Sequence, residues 1–146
     1  MITPPRKVEQ IIEAVGKTHT TGSFVWDGNE PFRISVDNEF SGSKHKYGVY
    51  IVRILDSKQI IYIGKAGSIC NDGNFKRQDL QSRLKNTRGS QDSQTWFRNL
   101  VQSFGALRIT YIVCNDRTLS PAFVETLLLQ AFLNDFECLP AKNKSL

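Results

Sequence analysis

Two tyrosines, a glycine and a lysine lie in or next to two neighbouring β-rich runs near the middle of the sequence. Tyr50 lies in the first run, residues 47–55, and Tyr62 lies in the second, residues 59–64, which ends at Gly64 and is followed by Lys65. A three-residue turn would place Tyr50 opposite Gly64 with Tyr62 one diagonal step away, whereas a two-residue turn would separate the phenols. Glycine in a strand often marks close approach by a ligand or another backbone. Taken alone, the four residues are more simply explained as an ordinary aromatic hairpin with a bend at Gly64.

A carboxylate on an apolar helix is a second candidate for chemistry. Glu125 lies among apolar residues such as Leu128 and Leu129, three and four positions along the last predicted helix. A charge there costs free energy unless it has a partner, and it lies too far into the helix to form a capping box with Ser120. A metal ion or an arginine would stabilise it. The residues leave open whether Glu125 holds a metal or is a core carboxylate paired with Arg83.

The remaining pattern predicts a small α/β, more strictly α+β, domain. Apolar periodicity and capping residues predict helices over 5–16, 80–88, 94–104 and 122–136. Alternating or β-rich runs predict strands over 24–26, 32–36, 47–55, 59–64 and 107–113, and the polar stretch 67–78 is expected to be a loop. We therefore expect a small mixed or antiparallel sheet with a central hairpin flanked by helices. Residues 1–45 would form an extension packed on a core of residues 46–146.

Charge and composition limit the classes of molecule that the protein is expected to bind. Residues 1–43 carry four basic and six acidic side chains, a net −2, whereas residues 44–146 carry fifteen and eight, a net +7. A phosphate-rich partner would meet the second part, although a solvated basic surface is the plain alternative. No apolar run approaches the roughly 20 residues that cross a bilayer, and the first residues lack a signal pattern. We expect a cytoplasmic protein without a membrane partner. The three widely spaced cysteines predict neither a disulfide framework nor a structural zinc site.

Together these residues resemble the GIY-YIG nuclease superfamily. The first triplet is present as Gly48-Val49-Tyr50 and the second as Tyr62-Ile63-Gly64, and Lys65-Ala66 continues it as in the nuclease domain of the excision-repair protein UvrC. Arg83 stands where the family has its helical arginine, and Glu125 and Asn143 follow in the family's order. The resemblance covers residues 46–143.

The sequence departs from the family pattern at two positions. Seventeen residues, 66–82, separate Lys65 from Arg83, more than the family's usual link, and we interpret them as an inserted loop. This loop carries Lys76 and Arg77, which would either touch DNA or remain a solvated surface. Thr87 stands where many members of the family have His or Tyr, so the assisting role of that residue in the family is not filled in this sequence.

The resemblance implies a divalent-metal-dependent endonuclease that hydrolyses phosphodiester bonds in DNA, of a restriction, phage or repair type. Glu125 would hold Mg²⁺ or Mn²⁺, and Arg83 would bind the phosphoryl oxygens. Tyr50 or Tyr62 would be the base, because neighbouring cations such as Lys65 lower the pKa of a phenol. The sequence does not decide between the two tyrosines. Asn143 would hydrogen-bond within the site rather than react.

The implied partner is DNA, above all double-stranded DNA, and a homodimer would suit cleavage of both strands. Besides Arg83, the cations expected to grip its backbone are Lys76, Arg77, Lys85, Arg88 and Arg98. Two other readings remain: a noncatalytic nucleic-acid-binding module with the same fold, and a small interaction domain whose tyrosines are core residues. Metal-dependent cleavage would separate the first reading from both others.

Overall fold

The computed structural model describes residues 6–42, 44–86 and 90–146. Within these ranges it confirms an α+β fold, with five helices, a four-stranded antiparallel sheet and a separate two-stranded hairpin. No helix in the described part of the chain combines the length and apolar character needed to cross a membrane. The helices are α1 (Lys7–Thr18), α2 (Phe32–Glu39), α3 (Leu80–Lys85), α4 (Ser93–Phe104) and α5 (Pro121–Phe136). The strands are β1 (Thr21–Trp26), β2 (Gly48–Ile54), β3 (Ile60–Ala66), β4 (Ser68–Ile69), β5 (Phe75–Lys76) and β6 (Leu107–Val113).

The main sheet has the order β1-β6-β2-β3, and each neighbouring pair is antiparallel. In the predicted central hairpin, β2 is indeed an inner strand, whereas β3 lies at an edge. The chain after α5 covers part of that edge, because the Lys142 amide donates to the Ile61 carbonyl at 2.9 Å. Such a cover satisfies backbone groups that an open edge would leave free to pair with another chain.

The sheet separates two apolar cores. Helices α2, α3 and α4 enclose one core with Tyr50, Phe97 and Ile109, and α1 and α5 enclose the other with Val49 and Ile51. Because β2 is covered on both faces, residues 49–52 are fully buried and read as one continuous apolar run. The hairpin therefore holds its side chains in fixed positions for a site at its end.

The predicted N-terminal extension differs from the structure in one element. Residues 32–36 were expected to be a strand but form the start of α2. Phe32, Val36 and Phe40 are buried at a spacing of four, and Phe32 stacks on Phe97 with ring centroids 3.9 Å apart. The apolar pattern of so short a segment fits both a strand and a helix. Packing against α4 stabilises the helix. The strand predicted over residues 24–26 is confirmed as part of the longer β1, which pairs with β6 in the main sheet.

Side-chain caps start the helices that carry site residues. The Asp79 carboxylate accepts a hydrogen bond from the Ser82 amide at 2.8 Å, and the Ser120 hydroxyl accepts one from the Phe123 amide at 3.1 Å. At α4, Asp92 rather than Ser93 is the cap. The predicted end of α3 at Arg88 and Gly89 lies outside the described residues.

Candidate active site

The predicted pairing of Tyr50 with Gly64 is confirmed, although the turn differs from the prediction. The Ile54 amide donates to the Gln59 carbonyl at 2.9 Å, so the loop has four residues rather than three. Pairing then shifts between Val52 and Arg53 and leaves Ile61 without a partner. This one-residue bulge compensates for the even-numbered loop and restores the predicted register.

Gly64 allows the buried Tyr50 ring to lie across β3. A Cβ atom at Gly64 would lie 2.5 Å from both Cζ and the phenolic oxygen of Tyr50, closer than real Cβ atoms approach other atoms. Tyr50 is completely buried, whereas Tyr62 is half-buried, with its ring 5.9 Å from that of Tyr50. Of the two phenols, Tyr62 is therefore the one within reach of solvent.

Gly48 has a structural role in the sheet. A Cβ atom there would overlap the carbonyl oxygen of Ile112 on β6 and crowd the backbone amide of Cys114. The side chain is absent so that β2 and β6 can approach each other. This glycine therefore supports the position of Tyr50 by allowing close packing of the two strands.

Glu125, Lys65 and Arg83 come together around the carboxyl end of β3. Lys65 pairs with the buried Val49, so its side chain lies on the face covered by α5, which carries Glu125. Arg83 reaches the same region from α3 on the opposite face. Burial raises the pKa of the half-buried Glu125 carboxyl, and the positive charges of Lys65 and Arg83 oppose that shift. The predicted carboxylate thus has two cations within electrostatic reach.

The amide side chain of Asn143 joins the C-terminal segment to β3. Its Oδ1 accepts a hydrogen bond from the Ile63 amide at 2.9 Å, and its Nδ2 donates to the Ile63 carbonyl at 2.8 Å. The backbone amide and carbonyl of Ile63, which lies between Tyr62 and Gly64, are thereby both hydrogen-bonded. Asn143 therefore holds the strand in place, consistent with the nonreactive role expected from the sequence.

A cation-lined groove opens beside this cluster. Lys65, Arg83 and Arg77 line an open cavity of about 490 Å³, together with Gly67, Gln78 and their neighbours. Within the described part of the chain, no carboxylate lines it. Such a groove is electrostatically suited to a polyanion.

The stretch 66–82, expected to be a loop, contains the small hairpin β4–β5. The Phe75 and Tyr47 rings stack in parallel with centroids 4.5 Å apart. Arg117 donates to the side chain of the preceding residue, Asn74, at 3.2 Å. Two adjacent residues thus join the hairpin to the rest of the domain.

The other predicted DNA-binding cations are distributed unevenly. Lys85 forms an ion pair with Asp37 at 2.7 Å, so part of its charge is already compensated. Exposed Arg98 lies with Lys85 on a separate cavity of about 1020 Å³, and exposed Lys76 does not line the groove with Arg77. Arg88 and Thr87 lie outside the described residues.

The donor set tests which metal the site could take. Among the described residues, no three His, Cys, Asp or Glu side chains are grouped as metal ligands. Glu125 would therefore hold a bound ion without a cluster of three protein ligands from these residue types around it. Magnesium commonly binds through one or two carboxylates with waters and substrate phosphate oxygens, so this donor set fits Mg²⁺ or Mn²⁺ better than a caged zinc.

Trp96 contacts Tyr62 in a way that the sequence did not reveal. Its ring meets Tyr62 edge-on with centroids 5.1 Å apart, whereas helical spacing alone only places it on the inward side of α4. No sequence signal distinguishes such a contact from ordinary core packing.

Comparison of the chain with protein-family models, curated proteins and solved structures finds no match. The functional proposal therefore rests on the residues and geometry described above.

Proposed function

We propose that this protein is a divalent-metal-dependent endonuclease that hydrolyses phosphodiester bonds in DNA. The observation that carries the proposal is the half-buried Glu125 carboxylate, which lies within electrostatic reach of Lys65 and Arg83 at the end of the tyrosine hairpin. A carboxylate whose pKa is raised by burial costs stability, and perturbed groups of this kind cluster at functional sites. The cation-lined groove beside it supports a phosphate-containing substrate.

Each side chain has a distinct task in this proposal. Arg83 binds the nonbridging oxygens of the scissile phosphate through its planar guanidinium. Tyr62, the solvent-accessible phenol of the pair, accepts a proton from the attacking water as a new oxygen–phosphorus bond forms. The bond to the leaving oxygen then breaks. Lys65 and Arg83 contribute positive charge that stabilises the negative charge developing on the phosphate as the leaving oxygen departs.

Glu125 would hold the divalent ion. When bound, Mg²⁺ or Mn²⁺ supplies Lewis-acid stabilisation of the negative charge that develops during hydrolysis. The carboxylate must be ionised for this task, and Lys65 and Arg83 both favour its ionised form. Tyr50 and Asn143 position the strands around these groups rather than take part in proton transfer.

A noncatalytic nucleic-acid-binding module is the second candidate function. Complete burial of Tyr50 favours it, because a core tyrosine needs no catalytic explanation. The cation-lined groove suits either function. Cleavage therefore decides between them.

The test is cleavage of supercoiled plasmid in Mg²⁺, Mn²⁺ or EDTA by the intact protein, Glu125→Gln and Glu13→Gln. Glu13 is an exposed residue of α1, so the last variant removes the same charge away from the site. We expect metal-dependent nicking or cutting that Glu13→Gln retains and that falls by more than about a hundredfold in Glu125→Gln, since even outer-shell changes cost 10–100-fold. Mn²⁺ should also raise the melting temperature of the intact protein more than that of Glu125→Gln.

Two results would contradict the proposal in different ways. If folded protein binds DNA but cuts neither DNA nor RNA with any of these metals, the binding-module function replaces the enzyme. If Glu125→Gln cuts as fast as the intact protein, the site is wrong even though the activity is real.

A further inference from the structure

We propose that Arg77 forms a second phosphate subsite, which binds the DNA backbone next to the phosphate held by Arg83 and Lys65. This inference deepens the proposed function and rests on its choice of DNA as substrate. It assigns a task to the β4–β5 hairpin, the segment between Lys65 and Arg83. The ligand is a phosphodiester group of the bound strand, distinct from the one that is hydrolysed.

The charge of the groove is the first argument. Arg77 reaches the groove from the end of β5, Lys65 from the end of β3 and Arg83 from α3, so three separate elements bring cations to one cavity of about 490 Å³. Glu125 acts electrostatically on the Lys65 and Arg83 end. Among the described residues that line the cavity no carboxylate offsets Arg77. A ligand with several regularly spaced negative charges matches this arrangement better than a single small anion.

The anchoring of the hairpin is the second argument. The Phe75 ring, two residues before Arg77, stacks on Tyr47 next to Gly48 on β2. Two residues after Arg77, the buried Asp79 caps α3 and binds the exposed His45 at 2.7 Å. The backbone on both sides of Arg77 is thus tied to the elements that carry Tyr50 and Arg83. The backbone that carries Arg77 is therefore in place before the ligand arrives, which limits the ordering cost of binding.

The backbone of Arg77 is the third argument. Its φ of +74° lies in the left-handed region, where a side chain costs free energy and glycine does not. The strained conformation directs the chain from β5 into α3 while an arginine faces the groove. The neighbouring Lys76 does not line that cavity, so the subsite depends on one side chain rather than on a diffuse basic loop.

The strained backbone also provides a well-matched experiment. Lys58, in the turn between β2 and β3, has a φ of +65° and lies at the opposite end of the hairpin from Lys65. Arg77→Gly and Lys58→Gly each remove one positive charge and relax one left-handed residue. Both variants should therefore remain folded, with similar changes in melting temperature, which separates binding from stability.

Binding of a fluorescently labelled DNA duplex is measured in EDTA, where metal-dependent hydrolysis does not occur, over a series of salt concentrations. Arg77→Gly should weaken binding by about fivefold to tenfold at low salt and reduce the slope of log Kd against log salt by about 0.9, the contribution of one phosphate contact. Lys58→Gly should change Kd by less than about twofold. Arg77→Lys, which keeps the charge, should retain the slope.

Equal effects of Arg77→Gly and Lys58→Gly would overturn the subsite, as would unchanged binding by Arg77→Gly or no duplex binding by the folded protein. These results differ from failure of the nuclease proposal, because the measurement needs no cleavage. If Arg77→Gly loses the phosphate contact while the intact protein never cuts DNA, the subsite is supported and the catalytic function is rejected. If the protein cuts DNA but Arg77→Gly binds normally, the subsite alone is rejected.

Discussion

Two tyrosine–glycine pairs occupy one row across the sheet, yet the charged groups near the two pairs differ. Tyr111 lies opposite Gly22 on one side and Tyr50 on the other, and Tyr50 lies opposite Gly64. Directly paired residues share a face, so all four lie on the same side of the sheet. In both pairs a Cβ atom on the glycine would overlap the phenol ring. The same local arrangement therefore occurs twice within one layer of the structure.

The difference lies in the charges beside each pair. The Tyr111 hydroxyl donates to the Glu39 carboxylate at 2.6 Å. Burial and this carboxylate raise the pKa of Tyr111 far above its ordinary value, which keeps its proton in place. At the Tyr50 end of the row, the residue after Gly64 is Lys65, whose side chain lies on the opposite face of the sheet, within electrostatic reach of Glu125. A tyrosine packed over a glycine is thus a packing arrangement at both places, and the two places differ in the charged groups nearby.

The largest difference in DNA cleavage rate is expected between two variants that each lose one tyrosine hydroxyl, Tyr62→Phe near Tyr50 and Tyr111→Phe. Tyr62→Phe should reduce the rate of DNA cleavage by about a hundredfold to ten-thousandfold, the usual contribution of a general base. Tyr111→Phe should leave that rate unchanged but lower the free energy of unfolding by about 1.5 kcal/mol, because its hydrogen bond to a carboxylate is lost. Plasmid cleavage and urea unfolding measure the two effects. Equal cleavage rates for the two variants would remove the proposed difference between the two ends of the row.

The next largest effect is expected on the free energy of unfolding when a methyl group is added at the glycine under each tyrosine ring. Gly64→Ala forces a Cβ atom against the fully buried Tyr50, and we expect a loss of about 3 kcal/mol of unfolding free energy. Gly22→Ala should lose about 2 kcal/mol by displacing Tyr111. Only Gly64→Ala should also disturb cleavage.

A double variant provides the control for this steric explanation. Tyr50→Leu removes the ring that Gly64→Ala would strike, so the combined variant should be more stable than the sum of the two losses predicts. Strict additivity in urea unfolding would show that the ring over Gly64 is not the source of the destabilisation.

The hairpin shows how much of the site a sequence can predict. Alternation and the positions of Tyr50 and Gly64 predicted their pairing, since inward-facing residues on both strands constrain register. The turn was wrong, because a four-residue loop combined with a bulge at Ile61 produces the same register. Register follows from side-chain burial, and several turn geometries satisfy it.

Longer-range packing explains what the sequence did not predict. The helix over 32–36 depends on Phe97, and the β4–β5 hairpin depends on the stack of Phe75 with Tyr47. The partners in each contact lie tens of residues apart, so no local pattern identifies them. The order of Arg83 and Glu125 was visible in the sequence. The complete burial of Tyr50, which singles out Tyr62 as the accessible phenol, was not.

The smallest expected effect concerns the two carboxylates, and it should differ in sign between them. Burial raises the pKa of Glu125 above its value in the unfolded chain, so the folded protein binds this proton more tightly. Stability is therefore lost as pH rises from the unfolded pKa, about 4.3, through the higher folded pKa. Above that window the cost of the buried charge persists. Glu125→Gln should raise the melting temperature at neutral pH, without added metal, by about 2 °C.

Glu39→Gln should do the reverse, because it weakens the hydrogen bond that the carboxylate accepts from Tyr111. We expect its melting temperature at neutral pH to fall by about 2 °C. Thermal unfolding of both variants, at neutral pH and below pH 4, measures the comparison. The gain from Glu125→Gln should disappear in acid, where Glu125 is protonated in both states. A fall in melting temperature for Glu125→Gln at neutral pH would mean that its charge stabilises the fold, as in an ordinary ion pair with Arg83, and would remove the energetic reason to regard it as a metal ligand.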